Sequence, residues 1–266
     1  MKRDKIYNKQ ISKKISVYKT TLVSIITFLI GISTIEGSIL ESKITWSGDV
    51  RIRDQHERIE SGDLRLRERL RIRLKSKVQV SETTKITLGL SSGSTDARSD
   101  NQTIENGFQK IPINFNMAYI EYQFNPSVVL LSGKMKNPVW KPSDLLWDSD
   151  INPDGFAAQF KSVNNQLKTT VGMFRMGELE RNKIPGAQLA IVQSKYSQQL
   201  DYANIKSNLQ VAGAFYSFGN VEGKLLSNGK SNSITNSVDD NNVLTNSYQV
   251  ASFSGKYEFN QLTTIP

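Results

Sequence analysis

Between Leu64 and Val80 the chain alternates, residue by residue, between aliphatic and basic side chains. Leu64, Leu66, Leu70, Ile72, Leu74, Val78 and Val80 hold the even positions, interrupted only by Glu68 and Ser76. Arg65, Arg67, Arg69, Arg71, Arg73, Lys75 and Lys77 hold successive odd positions. Successive Cβ atoms of a strand point to opposite sides of a sheet, so a period of two predicts a β-strand with one aliphatic and one basic face. A helix would scatter the same arginines around its whole circumference.

The pattern recurs. Further strands are predicted at Lys43–Arg53, Lys85–Ser91, Ile113–Phe124, Val128–Lys136, Gly155–Lys161 and Gln166–Arg175. Three less regular ones lie near Ala187–Lys195, Leu209–Phe218 and Tyr248–Phe259. Tight turns at Ser81–Thr84, Asn125–Ser127 and Ser162–Asn165 alternate with longer connections at Asp54–Asp63, Ser92–Pro112 and Asn137–Asp154. The Asn- and Ser-rich stretch Gly219–Asn246 forms another long connection. Sorting short turns to one end and long loops to the other is the habit of transmembrane barrels. The predicted fold class is therefore all-β, an antiparallel transmembrane β-barrel with about ten strands in this chain.

Magnitudes orient that barrel. An Arg on the lipid face near mid-membrane costs about 2–4 kcal/mol, and a span of roughly ten residues would bury some five odd positions of the basic strand. The aliphatic face must then look outward and the basic face into water. Arg65, Arg67, Arg69, Arg71, Arg73, Lys75 and Lys77, with Arg51 and Arg53 from the neighbouring strand, are the candidate pore-lining residues. Tyr119, Tyr122, Phe124, Phe156 and Phe160 are expected to form an interfacial girdle. A rival reading explains the basic strand equally well by itself. A secreted or periplasmic β-sandwich could bind an anionic polymer through its arginine face, with strong salt dependence. The regular alternation of loop lengths favours the barrel.

Composition narrows the field further. With 38% hydrophobic residues and a mean hydropathy of −0.40, the chain has too little apolar sequence for a bundle of membrane helices. Barrel strands are compatible with such values, because half their residues face water. There is no cysteine and a single histidine, His56, so disulfides, thiolate sites and multi-histidine zinc sites are absent. No glycine-rich phosphate loop follows a strand and opens a helix, and His56 has no nucleophile at a telling spacing. Neither an enzyme nor a cofactor is expected. The segment DSDINPDG places Asp148, Asp150, Asn152 and Asp154 at alternate positions, but Pro153 and Gln159 stand where an EF-hand needs Gly and Glu, and no metal is expected.

The net charge of +9 is unevenly spread. Residues 1–37 carry seven Lys/Arg and two Asp/Glu, so over half of the excess lies there, and the remainder is too mild for a nucleic-acid partner. Those basic residues precede the apolar run Thr21–Ile32, too short to span a bilayer as a helix. Residues 1–37 are expected to be a signal peptide, cleaved near Ser33–Ser38, and residues 38–266 a partial transmembrane barrel.

Several stretches carry a resemblance: WSGDVRIR (Trp46–Arg53), LRLRERLRIRLKSKV (Leu64–Val78), AYIEYQF (Ala118–Phe124), LLSGKMKNP (Leu130–Pro138) and LLWDSDINPDGFAAQF (Leu145–Phe160). Over roughly Trp46–Phe160 the chain resembles the Putative porin family of Gram-negative outer membranes. The resemblance implies an outer-membrane channel that passes small hydrophilic solutes or ions by diffusion, with lipid around it. By analogy with general porins it also implies a homo-oligomer, a trimer in those proteins, and a third long loop folded into the lumen. Asn137–Asp154 would be that constriction loop, presenting Asp144, Asp148, Asp150 and Asp154 to the basic wall; the other reading is a solvated outer loop. The chain ends TTIP where outer-membrane barrels end on an aromatic, so the barrel is expected to be incomplete.

Overall fold

A computed structural model describes residues 43–58, 62, 64–104, 108, 110–145, 147–176, 186–202, 205–223, 237–241 and 243–260. The leader expected over residues 1–37 lies outside the described residues. Eleven strands form one sheet: β1 (Lys43–Arg58), β2 (Leu64–Gln79), β3 (Thr84–Ser92), β4 (Gln102–Ile104), β5 (Ile113–Asn125), β6 (Val128–Lys134), β7 (Asp154–Lys161), β8 (Leu167–Arg175), β9 (Gln188–Tyr202), β10 (Ile205–Gly219) and β11 (Tyr248–Asn260). Apart from β4, neighbours in sequence are neighbours in space, each pair antiparallel. Among the described residues β1 pairs only with β2 and β11 only with β10, so the sheet is open at both edges.

All ten strands expected from alternation are present, with three differences. β1 runs on to Arg58, because its inward parity continues through Gln55 and Glu57 although its outward residues have turned polar. β9 and β10 pair until Tyr202 faces Ile205, which shortens a connection that the sequence placed across residues 196–208. Its Ser, Gln and Asn residues resemble a loop, yet polar residues suit a strand with one wet face. Finally, β4 lies inside the expected loop 92–112. β3 stops opposite Arg73, leaving the upper half of β2 without a partner on that side, and β4 pairs with Glu68–Leu70 there.

Cross-strand partners share a face, so the registers assign every side chain. One row runs Tyr122, Leu130, Ala158, Val171, Val192, Phe215 and Ala251. The adjacent row, on the other face, runs Gln123, Val129, Gln159, Thr170, Gln193, Ala214 and Ser252. Val171, Val192 and Phe215 are 42–44% exposed, whereas Thr170 and Gln193 are 3–4% exposed. Apolar residues are bare and polar ones covered, the reverse of a water-soluble domain. A sandwich would cover the apolar face with a second sheet, whereas the described residues form one sheet only.

The bare face also has the height of a membrane span. On β1 it is apolar from Ile44 to Ile52 apart from Gly48, and the partners on β2 run from Val78 to Leu70. A transmembrane strand needs about 9–11 residues. Immediately beyond, Asp54 faces Glu68 on the same side, two like charges that belong in water. Outward aromatics include Tyr122, Phe124, Phe156 and Phe160, as expected, but Tyr119 has the opposite parity and packs inward against the core.

That inner core is local. Val129, Leu131, Ala157, Phe174, Leu189, Ile191 and Tyr216 bury their side chains from β6 to β10, and Met135 and Val139 from the β6–β7 loop cover them. Gly133 sits where β6 gives way to this loop, at φ 112°, with no room for a Cβ against the carbonyl of Ala118. A side chain there would be strained in conformation and in space.

An Arg placed on the bare face should expose the solvent it meets. Val171→Arg is expected to lower stability in lipid vesicles by about 2–4 kcal/mol, read by urea unfolding. A near-neutral result would mean that this face does not contact hydrocarbon.

Candidate functional site

Pairing of β1 with β2 sets two odd-numbered rows opposite each other on the inner face. Asp49 faces Arg73, Arg51 faces Arg71, Arg53 faces Arg69, Gln55 faces Arg67 and Glu57 faces Arg65. Like charges directly opposite one another destabilise a strand pair, so the arginine pairs need counter-charges. Asp49 supplies most of them. Its carboxylate accepts from Arg71 Nη2 at 2.7 Å and Nε at 3.1 Å, and from Arg73 Nε at 2.7 Å. Glu57 accepts from Arg67 at 2.5 Å. Arg69 reaches Gln55 and Ser99, each at 3.4 Å, and Arg51 donates to Asn101. The Nε groups of Arg53, Arg67 and Arg69 are covered and have no partner among the described residues.

Two loops fold over this wall. The first, residues 93–101, brings Asp100, whose main-chain carbonyl accepts from Ser92 Oγ at 3.0 Å; that hydroxyl in turn accepts from Ile72 N at 2.8 Å. The second, residues 135–153, is the loop singled out by its aspartates. Asp150 stands 3.5 Å from Arg73 Nη1 and accepts from Asp100 N at 3.2 Å. The other three aspartates are elsewhere. Asp144 is largely exposed and pairs with Lys141 at 2.5 Å. Asp148 is exposed and accepts from Asp150 N at 2.8 Å, shaping the turn. Asp154 opens β7, with Lys134 and Arg175 as cross-strand partners. Of the basic candidates, Arg71 and Arg73 share Asp49, Arg65 is exposed, and Lys75 and Lys77 continue the row towards the short-turn end.

The same loop is fastened to the far side of the sheet. Gln193 on β9 accepts from Trp140 N at 2.7 Å and donates to Trp140 O at 2.8 Å. Trp147 lies with its ring 5.9 Å from that of Tyr216 on β10, and Lys195 sits 5.4 Å from the Trp140 ring centre. At its base, Met135 N donates to Pro153 O at 2.8 Å. From Trp147 to Asp150 the chain thus reaches walls seven strand steps apart, a separation of roughly 34 Å in a flat sheet. The sheet curls around the loop.

Charges within the loops respond to this crowding. The Asp100 carboxyl is pushed up from its ordinary range, chiefly by burial and also by the negative charge of Asp150, while hydrogen bonds to Ser91 and Asn116 and the Arg73 guanidinium act against the rise. Arg98 beside Asp96 does the opposite, holding that exposed carboxyl low.

Asp49, Glu57, Asp100 and Gln193 were not among the sequence candidates. Parity alone could have added Asp49 and Glu57, which share the face of Arg51 and Arg53. Asp100 and Gln193 had no such signal, since Asp100 lies in a long connection and Gln193 is met by one.

Gln193→Leu should release the loop, because it leaves the N–H and C=O of Trp140 without partners. The expected loss is about 1–3 kcal/mol, read as a lower urea midpoint with faster protease cleavage within residues 137–153. Unchanged protection would show that other contacts hold it.

Residues 60–253 match the model of the family described as "Putative porin", which covers most of the sheet. None of the curated proteins compared matches the chain. The match agrees with a single antiparallel sheet that is apolar and bare on one face, polar and loop-filled on the other. It implies a porin-like channel rather than an enzyme, in a membrane-embedded β-barrel. The chain belongs to the Putative porin family.

Proposed function

We propose that the protein is an outer-membrane porin for passive diffusion of small hydrophilic solutes, and that its lumen favours anions. The contact between Asp150 and Arg73 carries this reading, because it joins a loop fastened to β9 and β10 to the basic wall of β2. A loop held on both sides of a curled sheet narrows the water-filled space to what remains beside it. Basic residues outnumber acidic ones along the inner face of β1 and β2, with Asp49 and Glu57 against ten Arg and Lys. A wall of one sign concentrates the opposite ion and raises its entry rate. Loop carboxylates opposite that wall add a transverse field.

The remaining parts of the proposal rest on the sequence. Residues 1–37 direct export as a signal peptide, lipid surrounds the bare face, and copies assemble as a homo-oligomer, by analogy a trimer. The constriction role falls chiefly to Asp150, with Asp144, Asp148 and Asp154 farther from the wall.

Planar-bilayer conductance tests the reading. Arg67→Gln with Arg69→Gln should lower the anion-to-cation permeability ratio, and Asp148→Asn with Asp150→Asn should raise it. Both shifts should shrink between about 0.1 M and 1 M salt, as the screening length falls from roughly 10 Å to 3 Å. Conductance and selectivity unchanged in both double variants would contradict the proposal.

A further inference from the structure

The counter-charges of the basic wall are unevenly placed. Asp49, Glu57, Asp100 and Asp150 serve Arg67, Arg71 and Arg73. Towards the short-turn end, Lys75 and Lys77 continue the same face, about 7 Å apart by the rise of a strand, and Lys136 joins them from the start of the β6–β7 loop. Among the described residues no carboxylate is ion-paired with any of the three. These lysines line a cavity of about 540 Å³, together with Arg73 and with the Asp49, Asp100 and Asp150 carboxylates. Ser47, Asn116, Ser149 and Asn152 supply further polar groups.

Three mutually repelling ammonium groups around a water-sized-to-solute-sized space are stabilised by an anion between them. Each has donors to spare, and charge-assisted bonds to an oxyanion are stronger than neutral ones. A single chloride neutralises one of them; a compact anion with several oxygens can engage all three. The three carboxylates of the same lining disfavour a second anion, so the cavity holds one.

We infer that Lys75, Lys77 and Lys136 form a saturable binding subsite for a compact oxyanion bearing more than one negative charge. The inference deepens the channel reading and rests on it for its transport meaning. Lys75 and Lys77 supply one edge from a rigid strand, and Lys136 closes the site from the loop. Solutes carrying such a group would dwell there in passage.

Inorganic phosphate is the probe. In planar bilayers containing the full chain, at constant ionic strength, phosphate should block chloride current along a saturating curve. Lys75→Gln with Lys77→Gln should raise the half-blocking concentration by about tenfold or more, and Lys136→Gln alone by severalfold. Lys110→Gln removes the same charge from an exposed loop and should leave the curve in place. Block that never saturates, or that persists in the triple variant K75Q/K77Q/K136Q, overturns the subsite. A chain that inserts but does not conduct overturns the channel reading instead. Titration calorimetry of the detergent-folded full chain with phosphate then decides the subsite: heat that saturates and is lost in the triple variant supports it, and no heat refutes it.

Discussion

Backbone N–H and C=O groups inside a hydrocarbon layer have no water to bond, so segments that cross it must satisfy one another. In this chain they do so edge to edge, from β1 to β11, in registers that are almost unbroken. Strand pairing then fixes the side chains as well. Every second residue meets the outside and every other one the inside, and no residue can move to the opposite face without a bulge. The aliphatic outer belt, the polar inner rows and the convergence of charge on one surface all follow from that pairing.

Crowding so many cations on one face creates a problem that the rest of the structure answers. Arg51 against Arg71 and Arg53 against Arg69 are repulsive pairs in the middle of the longest strand pair. Asp49 and Glu57 offset them from β1, and Asp100 and Asp150 reach in from two loops. Compensation therefore decides where the loops lie, and the apolar patch around Phe174, Ile191 and Tyr216 decides where the β6–β7 loop is fastened. One loop is gripped by electrostatics at Asp150 and by packing and amide hydrogen bonds at Trp147 and Trp140. The same arrangement leaves the lysines beyond Arg73 without an ion-paired carboxylate among the described residues.

Strands were legible in the sequence because their signal is local. The basic strand announced itself through parity alone. Legibility failed where parity broke. The irregularity between Gly89 and Leu90 sets Asn116 and Met117 against one residue, so the outward positions of β5 change from even at Ile120 to odd at Phe115. β9 and β10 were read short because their polar inner residues look like loop composition. Three-dimensional contacts hid the most. Asp150 was picked out among four aspartates of equal standing in sequence, and only the fold distinguishes it from Asp144, which turns to Lys141. Gln193 looks like any inner-face glutamine until Trp140 is found against it.

On the proposed function, the two faces of β2 meet different solvents, lipid on the aliphatic side and the water of a lumen on the basic side. The chain has no cysteine, so single cysteines can be placed one at a time from Leu64 to Val80 without background. In lipid vesicles, a membrane-impermeant, water-soluble maleimide should label positions 69, 71, 73, 75 and 77 and spare positions 70, 72, 74, 76 and 78. Labelling that ignores parity, or that favours the even positions, would contradict the account.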